Sequence, residues 1–225
     1  MEIMLVAATP LEIAPTLDWL QKNEFRSGKD HHVKILITGI GSMLTTYRLM
    51  EGIRGQKPAA MIQAGIGGSF SLTCPPGTLT IVQEECFGDL GVEEEGVFKD
   101  VFDMHLQTPG QFPFTDKSLL NPYTSHWAHL GLSFVKGVTV NEVTTSSERI
   151  KMLQQKYAAI VESMEGAAFH YVCLQQQIPF LQLRAISNMV GERDKKNWLM
   201  KDSIAILNHQ LTAILQNPEL FVKNN

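Results

Sequence analysis

The chain has 225 residues, 44% of them hydrophobic, enough for one sizeable core. Its formal net charge is -4, and its 19 Lys and Arg are scattered, which excludes the basic stripe of a nucleic-acid binder. No uninterrupted apolar run approaches membrane-span length, and the seven His and three Cys (Cys74, Cys86, Cys173) show neither metal-ligand nor paired spacing. No membrane partner, metal, cofactor or disulfide framework is expected, and a reduced cytoplasm is the expected compartment.

The N-terminal EIMLVAA (2–8) follows no basic segment and reads as a first strand, not a signal peptide. VKILITG (33–39), AAMIQAG (59–65), GTLTIVQEE (77–85), LSFVKGVTV (132–140) and PFLQLRAIS (179–187) read as further strands, several apolar on both faces. Helical patterns lie over 42–54, 117–130, 146–156, 164–177 and 196–216, the last with Ile204, Leu207, Leu211, Ile214 and Leu215 near helical spacing. The alternation predicts an α/β fold: residues 1–225 as a single domain, with a central mixed β-sheet flanked by helices on both faces. Residues 86–125, rich in Gly, Pro and Phe, read as a long loop anchored by aromatic rings. Within it Glu93, Glu94 and Glu95 form a solvated face.

Three chemistry-bearing groups stand just past strand ends. Glu12 closes T-P-L-E (9–12), which fits a capping box with Thr9 as N-cap; Pro15 leaves open a second reading, a turn through 9–14 with the helix starting later. Glu165 opens a helix after the short strand of AAIVESMEGAAF, where the macrodipole favours a charged carboxylate. It is either a stabilising first-turn residue or a double acceptor suited to vicinal hydroxyls. Asn188 ends the strand LRAISN on an amide. Two carboxylates and an amide at one sheet edge suggest hydrolysis at a sugar carbon. The glycine-rich AGIGG (64–68) follows a strand and lets backbone approach a ligand. TGIGSM (38–43) lacks the third glycine of a dinucleotide fingerprint.

VESMEGAAF followed by LRAISN resembles the nucleoside phosphorylase/nucleosidase superfamily, over nearly the whole chain. EECFGDLGVEEEG (84–96), RAISNMVGERD (184–194) and Trp198 make it most similar to the futalosine hydrolases within that superfamily, relatives of the methylthioadenosine/S-adenosylhomocysteine nucleosidases. The resemblance implies a purine nucleosidase, a small-molecule nucleoside as its partner, and a homodimer. It implies that Glu12 activates water, that Glu165 holds the ribose hydroxyls beside Met164, and that Asn188 contacts the leaving purine. The backbone at Gly65 and Gly67 then lies near sugar or base. Adenosine-cleaving members carry Asp where this chain has Asn188. A 6-oxopurine presents two acceptors, O6 and N7, and an amide NH₂ presents two donors, so the exchange fits hypoxanthine as leaving group. Phosphorylases of the superfamily need arginines around phosphate; here Gln63 precedes AGIGG, and Glu12 would repel a phosphate dianion. Arg184 reads as a buried structural ion-pair partner, Arg193 as able to fold back toward the pocket, and Phe98 and Phe102 as the lining of an apolar 5′ pocket.

Overall fold

The computed structural model describes residues 1–23 and 32–217. Among the described residues there are ten strands: β1 (Glu2–Ala7), β2 (His32–Ile37), β3 (Ala60–Ser69), β4 (Leu79–Phe87), β5 (Gly91–Glu94), β6 (Val97–Asp100), β7 (Leu119–Leu120), β8 (Ser133–Thr139), β9 (Val161–Ser163) and β10 (Phe180–Met189). The helices are α1 (Pro10–Lys22), α2 (Ser42–Gly52), α3 (Thr124–Trp127), α4 (Ser147–Tyr157), α5 (Gly166–Gln176) and α6 (Met200–Gln216).

Strand β1 shows why the sheet is covered on both sides. Ile3, Leu5 and Ala7 join one core with Ile13 of α1 and Leu207, Leu211 and Leu215 of α6. Met4 and Val6, pointing the other way, join a second core with Leu49 of α2 and Phe169 and Val172 of α5. Side chains alternate along a strand, so a strand apolar at every position needs a layer on each face.

The sheet is mixed. β2, β1, β3 and β10 run parallel in that order, β4 pairs antiparallel with β10, and β8 and β9 follow. β9 then pairs antiparallel with the far end of β3, through Gly68–Glu162 and Ser69–Val161. Strands β3, β10, β4, β8 and β9 thus close a ring, and the C-terminal ends of β1, β3 and β10 gather beside it.

Three expectations change. AGIGG is not a turn after β3 but its second half. The expected helix over 117–130 reduces to β7, the four-residue α3 and one 3-10 turn, because Pro122 interrupts the stretch. The long loop is ordered by the β5–β6 hairpin, whose turn residues Glu95 and Gly96 both have positive φ. Glu93, Glu94 and Glu95 are exposed on that hairpin. No described helix is long and apolar enough to cross a membrane.

Candidate active site

A cavity of about 320 Å³ opens at the C-terminal ends of β1, β3 and β10. Ligands collect at such strand ends in α/β sheets. Glu12, Glu162, Met164, Glu165 and Asn188 all line it, together with Ile66 and Gly67. Gly65 is not among its lining residues.

Glu12 reaches the cavity from the first turn of α1. The helix begins at Pro10 and runs through Pro15, so the later start after a turn is not adopted. One carboxylate oxygen accepts from Thr9 N at 2.9 Å and Thr9 Oγ1 at 3.2 Å; the other accepts from Ile66 N at 3.2 Å. Capping and cavity-lining are therefore properties of one side chain. Asn208 of α6 secures the same turn. Its Nδ2 donates to the Glu12 carbonyl at 2.8 Å, and its Oδ1 accepts from Thr16 N at 3.0 Å and Thr16 Oγ1 at 2.6 Å.

Glu165 is the N-cap of α5 but makes no capping bond with its side chain. Its Oε1 accepts from Gly41 N at 3.2 Å, and its Oε2 lies 3.4 Å from both Arg184 Nη1 and Nη2. Burial pushes its pKa up; Arg184 and the Gly41 N–H pull it down, and Glu12 adds repulsion. The helix terminus alone, expected to favour the charged carboxylate, does not offset this burial. The buried Arg184 is the main counterweight. Arg184 Nη1 also donates to Ile66 O at 3.2 Å. A Cβ on Gly65 would come 2.5 Å from Arg184 Nη1 and 2.9 Å from Glu12 Oε1. Glycine is required there so that both charged groups can flank one stretch of β3.

Asn188 follows an irregularity. Ile186 pairs with Gly67 and Asn188 with Gly68, leaving Ser187 as an extra residue. Such a bulge bends a strand and re-aims the side chains after it. Ser187 Oγ donates to Asn188 Oδ1 at 2.7 Å, and Asn188 Nδ2 donates to Met189 O at 2.9 Å. The double-donor picture from sequence is thus corrected: one N–H is committed to main chain, and one is left.

The neighbouring residues divide clearly. Glu162 Oε1 accepts from Thr144 N at 3.1 Å, while its buried Oε2 has no partner; burial pushes its pKa up. Val143 and Thr144 form a wall. Arg193 does fold back, lining the cavity with its guanidinium 6.0 Å from the Trp198 ring. Phe98 and Phe102 do not line this cavity. Phe102 is consumed by edge-on packing against Phe114, with ring centroids 5.1 Å apart. Phe98 lies beside Lys156 and faces a second cavity, with Asp89, Glu142 and Arg149, that meets the first at Val143. Sequence reading missed Glu162 and Asn208 as site-building residues. Glu162 carried a signal, since it directly precedes the Ser-Met-Glu run; Asn208, 196 residues from Glu12, carried none. Among the described residues no three His, Cys, Asp or Glu gather as metal ligands.

Comparison with known proteins identifies the family. A family model described as Phosphorylase superfamily matches residues 2–217. A futalosine hydrolase of Thermus thermophilus is 30% identical over 182 residues, 80% of each chain. A 5'-methylthioadenosine/S-adenosylhomocysteine nucleosidase of Buchnera aphidicola is 25% identical over 191 residues, 84% of this chain and 80% of the relative. Among solved structures, an MTA/SAH nucleosidase superposes with TM-score 0.76 at 18% identity, covering 100% of this chain and 97% of that one. The futalosine hydrolase of Helicobacter pylori does so with TM-score 0.70 at 16% identity, covering 99% and 97%. Fold and sequence match converge, and the chain belongs to the phosphorylase superfamily.

Proposed function

We propose that the protein is a purine nucleosidase that hydrolyses the N-ribosidic bond of futalosine, releasing hypoxanthine and dehypoxanthine futalosine, a step of menaquinone biosynthesis. The hydrolytic part rests on the relatives, which are named as hydrolases and nucleosidases, and on charge. Glu12, Glu162, Glu165 and Glu192 outnumber Arg193 along a small cavity, and the buried Arg184 is already paired with Glu165. That field favours an oxocarbenium-like sugar and opposes a phosphate dianion. Water between Glu12 and Arg184 attacks the anomeric carbon, with Glu12 as general base. Glu165 accepts from the ribose hydroxyls, and Met164 packs beside the ring. Gly65 and Gly67 keep the β3 backbone thin at the sugar, and Trp198 offers the base an aromatic wall.

The observation that carries the choice of base is the Ser187–Asn188 bond. Ser187 fills one lone pair of Oδ1, and with one N–H committed to Met189 the amide keeps one N–H free to meet a ligand as a donor. The free N–H suits O6 of a 6-oxopurine and meets another donor at the 6-amino group of adenine; N7 accepts in both bases, so the choice is read at position 6. A second reading, a 6-aminopurine nucleosidase, draws on the relatives of that name. Incubation with futalosine in phosphate-free buffer, followed by chromatography, tests the proposal. It expects free hypoxanthine at a rate that added phosphate leaves unchanged.

For the 5′ arm, the second cavity beyond Val143 is the candidate, with Phe98 on its wall. Phe102 can act only by supporting the fold around it. A homodimer fits the apolar stripe of Ile40, Met43, Leu44, Tyr47 and Met50, all exposed along α2 and its N-terminal turn. Ile40 also lines the cavity, so a second copy covering this stripe would reach the cavity rim. Three free, buried cysteines fit the reducing cytoplasm.

A further inference from the structure

Below the cavity lies a set of buried polar groups that this hydrolytic scheme does not use. Glu85 of β4 is fully buried. Its Oε1 accepts from Gln182 Nε2 at 2.8 Å, and its Oε2 accepts from Thr139 Oγ1 at 3.0 Å. The Thr139 hydroxyl in turn accepts from Ala167 N at 2.7 Å. Ala167 stands in the first turn of α5, whose N-cap is Glu165. Two hydrogen bonds therefore connect Glu85 to the turn that aims Glu165. Backbone is pressed against the carboxyl: a Cβ on Gly166 would collide with Glu85 Oε1, and one on Gly137 would lie 2.7 Å from it.

Two buried atoms of the same network have no partner, Gln182 Oε1 and His170 Nε2. His170 Nδ1 lies 3.0 Å from the Leu119 carbonyl, so Nδ1 carries the hydrogen. Burial pushes the imidazole down to about 4, which leaves Nε2 a bare acceptor near neutral pH. The Gln182 side chain faces that ring. A half-turn of the Gln182 amide resolves the conflict. Its N–H then donates to His170 Nε2, and its oxygen turns to Glu85, where it needs a donor. A protonated Glu85 supplies that donor; an ionised one cannot.

We propose, resting on the reading of Glu165 as the ribose-holding group, that Glu85 is a positioning residue that works as a neutral acid. It donates to Gln182, accepts from Thr139, fixes the first turn of α5, and leaves Arg184 to Glu165. The surrounding charges agree. Arg184 on β10 is engaged by Glu165, and Lys136 on β8 pairs with Glu84 at 2.6 Å. Thr139 and Gln182 are uncharged, and Cys86 next to Glu85 is a buried thiol. Burial pushes Glu85 up to about 7 even against the Gln182 N–H, Arg184 and the Thr139 hydroxyl, which pull it down, while Glu165 pushes it up. Turning the Gln182 amide exchanges that pull for an acceptor of the acid's own hydrogen, so the proton is held at least up to about pH 7 and lost at higher pH. Once ionised, Glu85 competes for Arg184 and repels Glu165.

Glu85→Gln imitates the neutral acid, since its NH₂ donates to Gln182 and its oxygen accepts from Thr139. At about pH 6 it is expected to keep kcat and KM within about three-fold of the parent, and to lose the rise in KM that the parent shows above about pH 7. Thr139→Val cuts the link to Ala167 and is expected to raise KM about ten-fold, with Thr139→Ser restoring it. Infrared difference spectra supply a readout free of substrate: a protonated-carboxyl band present in the parent at about pH 6 and missing from Glu85→Gln. Absence of that band from the parent overturns the proposal. So does a Glu85→Gln protein that is folded but crippled at about pH 6, or one whose alkaline KM profile superposes on the parent's. Failure of the ribose reading shows separately, as unchanged nucleoside affinity in Glu165→Gln.

Discussion

Asn208 holds Glu12 through the main chain: its amide donates to the Glu12 carbonyl while its oxygen takes the Thr16 N–H, bridging one turn of α1. That turn contains Pro15, which lacks an N–H and crowds the carbonyl four residues before it. A side chain from α6 thus repairs a helix that a proline disturbs, at the turn carrying the proposed general base. Asn208→Ala leaves three polar groups without this partner in a buried place. It is expected to cost about 1–3 kcal/mol of stability and to lower kcat more than it raises KM. A thermal melt run beside steady-state kinetics checks both parts.

Glu12→Gln keeps the bonds from Thr9 and Ile66 within reach and removes the base. The expected result is a kcat lower by about 10²–10⁴-fold with KM little changed. Binding of hypoxanthine by titration calorimetry should stay near the parent value. A variant that cleaves as fast as the parent would assign water activation to another group.

Gly65→Ala puts a methyl group between Arg184 and Glu12, 2.5 Å from one and 2.9 Å from the other. Neither charged group can retreat without breaking its own bonds, so this small change is expected to abolish most activity. Overpacking of this kind typically costs about 1–3 kcal/mol, readable as a lower melting temperature. An active, fully stable Gly65→Ala would mean that the two side chains need not approach so closely.

With Glu165 as the proposed ribose-holding group, the pH dependence of kcat/KM is expected to show an acid limb set by Glu165. Burial raises its pKa and Arg184 restrains the rise. Below that pKa the carboxyl is protonated and accepts poorly from ribose; above it the carboxylate accepts fully. Arg184→Met removes the restraint, so the acid limb should move to higher pH. The variant should also be less stable at neutral pH, because a buried carboxylate loses its counter-ion. A profile that does not move would separate Arg184 from Glu165 electrostatically.

Much of this arrangement is legible in the chain because local patterns and burial point the same way. Alternating apolar strands such as EIMLVAA need cover on both faces, and β1 has it. Thr9, Pro10 and Glu12 announce a helix start, and α1 begins there. Arg184, in a buried strand with no other charged residue, must be paired, and it is. The misses are non-local. Nothing near Gly67 reveals that β9 returns to pair there, so AGIGG resembles a turn when it is strand. Nothing near Phe102 reveals Phe114 as its partner, and its ring resembles a pocket wall when it is packed away. The bulge at Ser187 is likewise set by contacts with β3, and it decides how many donors Asn188 can offer.

Base choice is the sharpest consequence of the bond between Ser187 and Asn188. Futalosine and its 6-amino counterpart share sugar and 5′ arm and differ only at the purine edge. The decisive measurement is the ratio of kcat/KM for this pair in phosphate-free buffer. A ratio favouring the 6-oxo compound by about 5- to 150-fold is expected, the worth of one mismatched buried hydrogen bond, with Asn188→Asp reversing the order. Equal rates, or faster cleavage of the 6-amino compound by the parent protein, would contradict the account.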